Sequence, residues 1–264
     1  MSERSTTLEV LSLNLWNVSG PVRRRMDALA SELRRRPVDL VALQEVSTID
    51  GRTQAAALAA AAGYPHVHDD RAWRSRRRQE GLAVLSRHPI APLAVTELPS
   101  VRRDQPRILQ RVRLEVGDRR LLVANTHLTF RRRDGRRRAR QAQVVRDVLA
   151  QDAGPRLLLG DLNDVAGSPA LRVLTDPPPA GAGLVDIADR ASGARLGPTF
   201  SLRNRYARLL PWLCGRRVDH VLGDPALQAP RAEVVFTGDD APVVSDHYGL
   251  RVTIALPAPG PADV

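Results

Sequence analysis

Carboxylates, amides and histidines gather at the ends of apolar runs in five places: Asn14, Glu45, Asn125-Thr126-His127, Gly160-Asp161-Leu162-Asn163-Asp164 and Ser245-Asp246-His247. Side chains two apart on a strand share a face, so Asn125 and His127 project together, as do Asp161 and Asn163. Oxygen ligands dominate. Carboxylates and amides without thiolates suit a hard cation, Mg2+ or Mn2+, better than zinc, and Mg2+ is usually held by one or two carboxylates together with waters and phosphate oxygens.

Short or alternating apolar runs predict strands at 8–16, 39–45, 81–87, 108–116, 120–128, 156–162, 217–222, 232–236 and 248–255, and helical spacing fits 22–36, 54–62, 136–151 and 168–174. A strand ending at Asn14, a helix and a strand ending at Glu45 echo the order running from His127 through a helix to Asp161. Each unit is long enough for a strand-helix-strand crossover, with its polar groups at the carboxyl ends of strands, where crevices form. Two similar halves would then face one site; the alternative is coincidence. Pro177, Pro178 and Pro179 mark a loop. No linker divides the chain, so one domain over 1–256 is expected, with a disordered tail at 257–264.

Seven short motifs occur in order along the chain. They are Leu13-Asn14-Leu15-Trp16-Asn17, Leu43-Gln44-Glu45-Val46, Glu80-Gly81-Leu82 running into Leu85-Ser86-Arg87, Asn125-Thr126-His127-Leu128, Gly160-Asp161-Leu162-Asn163, Arg217-Val218-Asp219 and Ser245-Asp246-His247. Together they resemble the endonuclease/exonuclease/phosphatase metal hydrolases, a family that includes DNase I-like nucleases, sphingomyelinases and tyrosyl-DNA phosphodiesterases. The resemblance implies an α+β fold, a DNase I-like four-layer α/β/β/α sandwich of two packed mixed sheets, with the site at strand ends on one edge.

The same resemblance implies roles. Glu45 is similar to the principal metal carboxylate, with Asn14 and Asp246 close to the metal or its waters. Asp161 resembles the residue that orients or deprotonates the attacking water, Asn163 a donor to the phosphate, His247 the phosphate-contacting histidine, and Asp219 the carboxylate that orients its ring. His127, with Glu80 to hold its imidazole, resembles the histidine of the DNase I and sphingomyelinase type, which assists the leaving group or binds the phosphate. Abasic-site endonucleases lack that histidine pair and rank lower. Phosphoester hydrolysis needs this division of labour, because charge on phosphorus is neutralised while water attacks in line.

Composition bounds the substrate. The chain has 264 residues and a net charge of +11, and all 40 of its Lys and Arg residues are arginine, which points to codon bias as much as to a polyanionic partner. Arg131 to Arg133, Arg136 to Arg138 and Arg140 follow His127, and Arg74 and Arg76 to Arg78 precede Glu80; each run either grips flanking phosphates or is a solvated face. Aromatics are 3% of residues, too few for a row of stacking side chains. The single cysteine, Cys214, excludes internal disulfides and thiolate clusters. No run is long and apolar enough to span a membrane and no signal peptide is recognisable, so a cytoplasmic monomer is expected.

Three further features invite chemistry and have plainer readings. His66-Val67-His68-Asp69 puts two histidines on one face but lacks further zinc ligands, and reads as a solvated loop. Of Asp219 and His220, neighbours pointing to opposite faces, only Asp219 matches the motif and His220 reads as structural. Tyr206 to Leu213 is either a short helix on the core or a lid touching lipid, with Trp212 as anchor. The expectation is a Mg2+-dependent (or Mn2+-dependent) phosphodiesterase, with nucleic acid slightly favoured as substrate. A phospholipid or sugar phosphate hydrolase is the alternative within chemistry, and a noncatalytic nucleic-acid or protein-binding module the alternative outside it.

Overall fold

Alternation along the first strand sets the architecture: Leu8, Val10 and Ser12 face one way, Leu11 and Leu13 the other, and both faces are buried. A strand apolar on both sides must lie in a sheet covered on both faces. In the computed structural model, which describes residues 6–74, 79–101, 105–152, 154–177, 183–192, 196–207 and 215–256, two such sheets pack together.

The first sheet runs β14 (Gln228–Val235), β15 (Gly249–Ala255), β1 (Thr7–Asn14), β2 (Leu40–Val46), β6 (Gln79–Ser86), β5 (His66–Arg74). The second runs β12 (Val185–Asp186), β13 (Asp219–Gly223), β11 (Arg156–Asp161), β10 (Arg119–His127), β9 (Arg107–Val116), β7 (Ile90–Pro92), and β8 (Thr96–Leu98) also pairs with β9. A small hairpin, β3 (Thr48–Ile49) and β4 (Arg52–Thr53), leads into a helix.

Three apolar layers hold these pieces together. Between the sheets, Val10, Leu40, Ala42 and Val84 meet Val112, Val123, Leu157, Leu159 and Val221. On the outer face of the first sheet, Leu11, Leu13 and Leu43 pack with Leu29 and Leu33 of α1 (Val22–Arg35) and Leu58 of α2 (Gln54–Ala62). Outside the second sheet, Leu122, Ala124 and Leu158 pack with Val145 and Leu149 of α3 (Gly135–Leu149) and Leu171 and Leu174 of α4 (Pro169–Thr175). The short α5 (Ile187–Ser192) contributes Ile187 and Ala188 to the layer between the sheets. The result is the expected α/β/β/α sandwich; each fully buried Leu contributes roughly 1.5–3 kcal/mol to holding it.

The internal echo is physical. β1 and β2 pair in parallel across α1, and β10 and β11 pair in parallel across α3. Parallel pairing points both strands of a unit the same way, so Asn14 comes level with Gln44, and His127 with Asp161.

Some expectations change. Residues 66–69 are not a solvated loop: they open β5, whose backbone finds its partners on β6, while His68 Nε2 lies 2.9 Å from Asp70 Oδ2. Among the described residues no three-ligand group includes either histidine. Asn125 does face the space between the sheets with His127, but it stops short of the site. Its amide accepts from Gln44 (2.8 Å) and donates to Gln110 (3.1 Å), Leu43 O (3.0 Å) and Ala83 O (3.2 Å), which makes it a buried polar clasp between the sheets. The Tyr206 to Leu213 segment lies outside the described residues from 208 onward, as do Arg76 to Arg78, Pro178 and Pro179, Cys214 and the 257–264 tail. No described helix is long and apolar enough to cross a membrane.

Candidate active site

The carboxyl ends of β1, β2, β10 and β11 meet at one edge of the layer between the sheets, and Asp161 is the hub. Its Oδ2 accepts from Asn14 Nδ2 at 3.0 Å and lies 3.4 Å from His127 Nε2 and 3.7 Å from His247 Nε2. His247 Nδ1 in turn sits 2.9 Å from Asp219 Oδ2, and the ring of Phe200 meets the His247 ring edge-on at 5.0 Å. All of these polar side chains are buried. Gly160 makes the approach possible: its φ is +150°, and a Cβ there would lie 2.0 Å from the carbonyl oxygen of Thr126.

Glu45 reaches the site through a break in the strand pattern. Gln44 already faces the space between the sheets, so alternation would send Glu45 to the helix side. Instead Glu45 adopts φ +53°, and the β2–β6 register shifts between Leu43 and Val46. The carboxylate turns back to accept from Asn14 Nδ2 at 3.2 Å and from Asn17 Nδ2 at 3.0 Å. Asn17 had no assigned role in the sequence reading, although its position three residues after Asn14 in a strand-to-helix loop was a usable signal.

Asn163 also departs from expectation. β11 ends at Asp161, so the two do not project from one strand face; Asn163 sits in a left-handed turn at φ +51°. Its backbone N–H donates to Asp161 Oδ1 (3.0 Å) and its Nδ2 to Leu128 O (3.0 Å), leaving one amide N–H for another acceptor. Glu80 stands at ion-pair distance from His127, as expected, and a third residue also joins them. Arg107 stands between them, its Nη1 donating to Glu80 Oε1 at 2.6 Å and to His127 Nδ1 at 2.9 Å, while Glu80 and His127 Nδ1 are 3.6 Å apart. His220 is structural, as expected: it points away from the site, near Asp186 Oδ2 (3.0 Å) and Asp164 O (2.9 Å).

Two loops carrying these groups are tied by one buried cation. Arg25 of α1 donates to Leu15 O and Val244 O (2.8 Å each), Asn17 O (3.2 Å) and Ser19 O (2.7 Å). It thereby joins the loop after Asn14 to the segment that holds Asp246. Ser245 Oγ completes the tie by donating to Asn14 O at 2.6 Å.

Electrostatically the site is short of positive charge on one side. Burial, then Glu80 and Asp246, push the Glu45 carboxyl up to about 8. Burial likewise pushes Asp246 up to about 6, against the pull of His247. Elsewhere charges are matched. Burial opposes ionisation of Glu80, but Arg107 and His127 together outweigh it and hold the carboxyl down at about 2. Burial would lower His247, yet Asp219 and Asp161 keep it well above the ordinary histidine range; Asp161 is lowered, with His247 and His127 outweighing burial. The groups left unbalanced, the carboxylates of Glu45 and Asp246, are oxygen donors of the kind a hard divalent cation requires, while Asn14 and Asn17 turn their amide N–H groups to Glu45. Ligand atoms of Glu45, Glu80 and His127 lie within 4.8 Å of one another, and so do those of Asp161, Asp219 and His247.

Residues 11–247 match the model of the endonuclease/exonuclease/phosphatase family. The chain belongs to that family. It is accordingly a metal-dependent hydrolase of phosphoric esters. Solved structures agree on the DNase I-like fold. An endonuclease/exonuclease/phosphatase family protein from Leptotrichia buccalis superposes with a TM-score of 0.73 at 20% identity, covering 94% of this chain and all of that one. Truncated Caenorhabditis elegans TDP2 gives 0.72 at 19% identity, with coverages of 95% and 98%. D. rerio TDP2 complexed with a single-strand DNA product gives 0.74 at 17% identity, with coverages of 95% and 100%. No curated protein matches the sequence.

Proposed function

We propose that this family member is a Mg2+-dependent phosphodiesterase, one domain over 1–256, and that a nucleic-acid strand is its substrate. The observation that carries this reading is the convergence on Asp161 Oδ2 of Asn14 at 3.0 Å, His127 at 3.4 Å and His247 at 3.7 Å, with Glu45 bonded to the same Asn14. Glu45 and Asp246, assisted by Asn14 and Asn17, would hold the ion. A bound Mg2+ supplies charge neutralisation on the phosphate oxygens and a fixed seat for the substrate.

The chain's own groups do the rest. Asp161, kept ionised chiefly by His247, orients the attacking water and takes its proton. His247, charged and steered by Asp219 on Nδ1, presents Nε2–H to a phosphate oxygen. The free amide N–H of Asn163 gives a second donor. His127, whose Nδ1 accepts from Arg107, carries its proton on Nε2 and offers it toward the same phosphate. Of the two roles open to this histidine, phosphate binding therefore fits better than protonating the leaving group.

Nucleic acid is favoured by the arginines next to His127. Arg132, Arg133, Arg136 and Arg140 are exposed. Arg138, by contrast, is buried and donates to Asp164 Oδ2 at 2.9 Å and to Thr129 O and Arg131 O, so part of that run is structural. The D. rerio TDP2 structure with a single-strand DNA product is in keeping with such a substrate.

The test is cleavage of a chromogenic phosphodiester and of oligonucleotides with Mg2+ and Mn2+ supplied separately, beside phospholipid and sugar phosphate controls. Asp161→Ala and His247→Ala should each lower turnover by ~10²- to 10⁴-fold while the protein stays folded. Metal-independent cleavage, or unchanged variants, defeats the reading. Turnover of oligonucleotides should fall steeply with salt; preference for a phospholipid or sugar phosphate would move the substrate there.

A further inference from the structure

Two half-exposed rings stand near the proposed metal carboxylates without belonging to any of the three apolar layers. They are Trp16, in the loop after β1, and Tyr206, in the segment that packs Phe200 on His247. Their centroids are 5.3 Å apart and their planes 34° from parallel. A guanidinium lies over each ring, Arg25 at 5.1 Å from the Trp16 centroid and Arg205 at 4.8 Å from that of Tyr206. The stack Arg25, Trp16, Tyr206, Arg205 therefore starts at the buried clamp and ends at an exposed arginine. Arg25 also feels the carboxylates of Asp246 and Glu45, which puts the inner end close to the proposed ion. Asn204 ties Tyr206 to the same place: its Nδ2 donates to Ser245 O at 2.9 Å, and its Oδ1 accepts from the Tyr206 N–H at 3.0 Å.

Trp16 is held there under strain. Its φ of +56° is one that a bulky residue rarely adopts, and its N–H donates to Asn14 Oδ1 at 2.9 Å. Gly20 lies so close to the indole that a Cβ would fall 2.6 Å from Cζ3 of Trp16. Core packing does not explain this strain, because the ring stays half-exposed; a ligand that uses the ring does. Val18 and Leu202, in the same two loops, are 43% and 65% exposed and extend the apolar surface around the rings.

We infer that this stack is a nucleobase platform: an unpaired base flanking the scissile phosphate stacks on Tyr206, Arg205 closes over it, and Trp16 and Arg25 back the tyrosine ring. The inference rests on the proposed nucleic-acid substrate and narrows it to single strands, whose bases are free to leave their own stack. Flat rings alternating with guanidinium charge suit a base on a phosphate backbone better than an acyl chain. Arg205 is exposed, so it can swing aside to admit the base. One platform grips one base, which needs no row of aromatic side chains.

Equilibrium binding of a short labelled single strand, with Mn2+ present and in an Asp161→Ala background that slows cleavage, reads the platform without using activity. Tyr206→Ala should weaken binding by about tenfold or more, and Tyr206→Phe, which keeps the ring, should not. Arg205→Ala should weaken it too and lower the salt slope by about one. A duplex of the same sequence should bind equally with or without the Tyr206 ring. Removing one base at a time from the strand should weaken binding most at a single position, and Tyr206→Ala should abolish that loss. Unchanged strand affinity in Tyr206→Ala, an equal loss on the duplex, or a ring dependence seen only with phosphatidylglycerol vesicles overturns the inference and leaves the nucleic-acid reading intact. Failure to bind any strand defeats both. Should Tyr206→Ala fail to fold or lose its manganese, the base-removal series with Tyr206 in place decides: one sensitive position supports the platform, and none overturns it.

Discussion

Arg25 gives the most exposed test of how this site is assembled. Its guanidinium makes four hydrogen bonds to carbonyls of two loops, at 2.7 to 3.2 Å, while the residue is 2% exposed. Replacing it by methionine keeps the apolar stem and removes every donor. Each bond contributes about 1 kcal/mol, and a buried acceptor left bare costs about as much or more, which sets a gross loss of roughly 4 kcal/mol. Part of that returns, because burial disfavours the cation itself, as the lowered pKa of Arg25 shows. The expected net loss is about 3 kcal/mol, below the ~5–15 kcal/mol that holds a typical domain, so the variant should fold. Because the tied loops carry Asn14, Asn17 and Asp246, manganese affinity should fall by about tenfold or more, the equivalent of ~1.4 kcal/mol at the metal. Arg25→Lys, with three donors on a compact head, should recover part of both losses. Urea unfolding of the metal-free protein and a manganese titration measure the two quantities. A stability loss under about 1 kcal/mol with unchanged manganese affinity would refute the clamp.

Other outcomes follow from single contacts. Glu45→Gln removes one of three crowded carboxylates, so the metal-free protein should melt at a higher temperature than wild type, while the rise in melting temperature that manganese gives the wild type should disappear; a metal-free protein that melts earlier contradicts the crowding argument. Gly160→Ala puts a methyl group against Thr126 O and should cost at least about 2 kcal/mol in urea unfolding, since the β10–β11 pairing has to open. The Asp186 carboxyl, disfavoured by burial but held at about 2 by His220 and Arg217, starts from an ordinary value of 3.8. A lowered folded pKa adds stability that is full above about 4 and is lost as the pH falls through about 2, near 2 kcal/mol at 1.36 kcal/mol per unit. Asp186→Asn should therefore destabilise the protein at pH 7 and flatten its stability between pH 4 and 2, followed by urea midpoints across that range; an unchanged slope would count against the ion pair.

What the residue order determined by itself was the chemistry and the central strands. Apolar alternation placed β1, β2, β6, β9, β10, β11, β13 and β15 to within a few residues because these strands are largely buried, and it found the apolar end of the more exposed β14; four helices were legible as well. The motif residues Asn14, Glu45, Asp161 and His247 were legible because acidic and amide side chains at the ends of apolar strands are costly unless something uses them. Edge pieces were not legible. β5, β7, β8 and β12 carry mixed or polar side chains, and their strand character comes from the neighbour that supplies backbone partners. Nor could local sequence show that Glu45 turns through a left-handed residue back to the site, that Asn163 leaves the strand face of Asp161, or that Arg107 comes between Glu80 and His127. Those placements depend on contacts between residues 20 and more positions apart, which exist only once the two sheets have closed on each other.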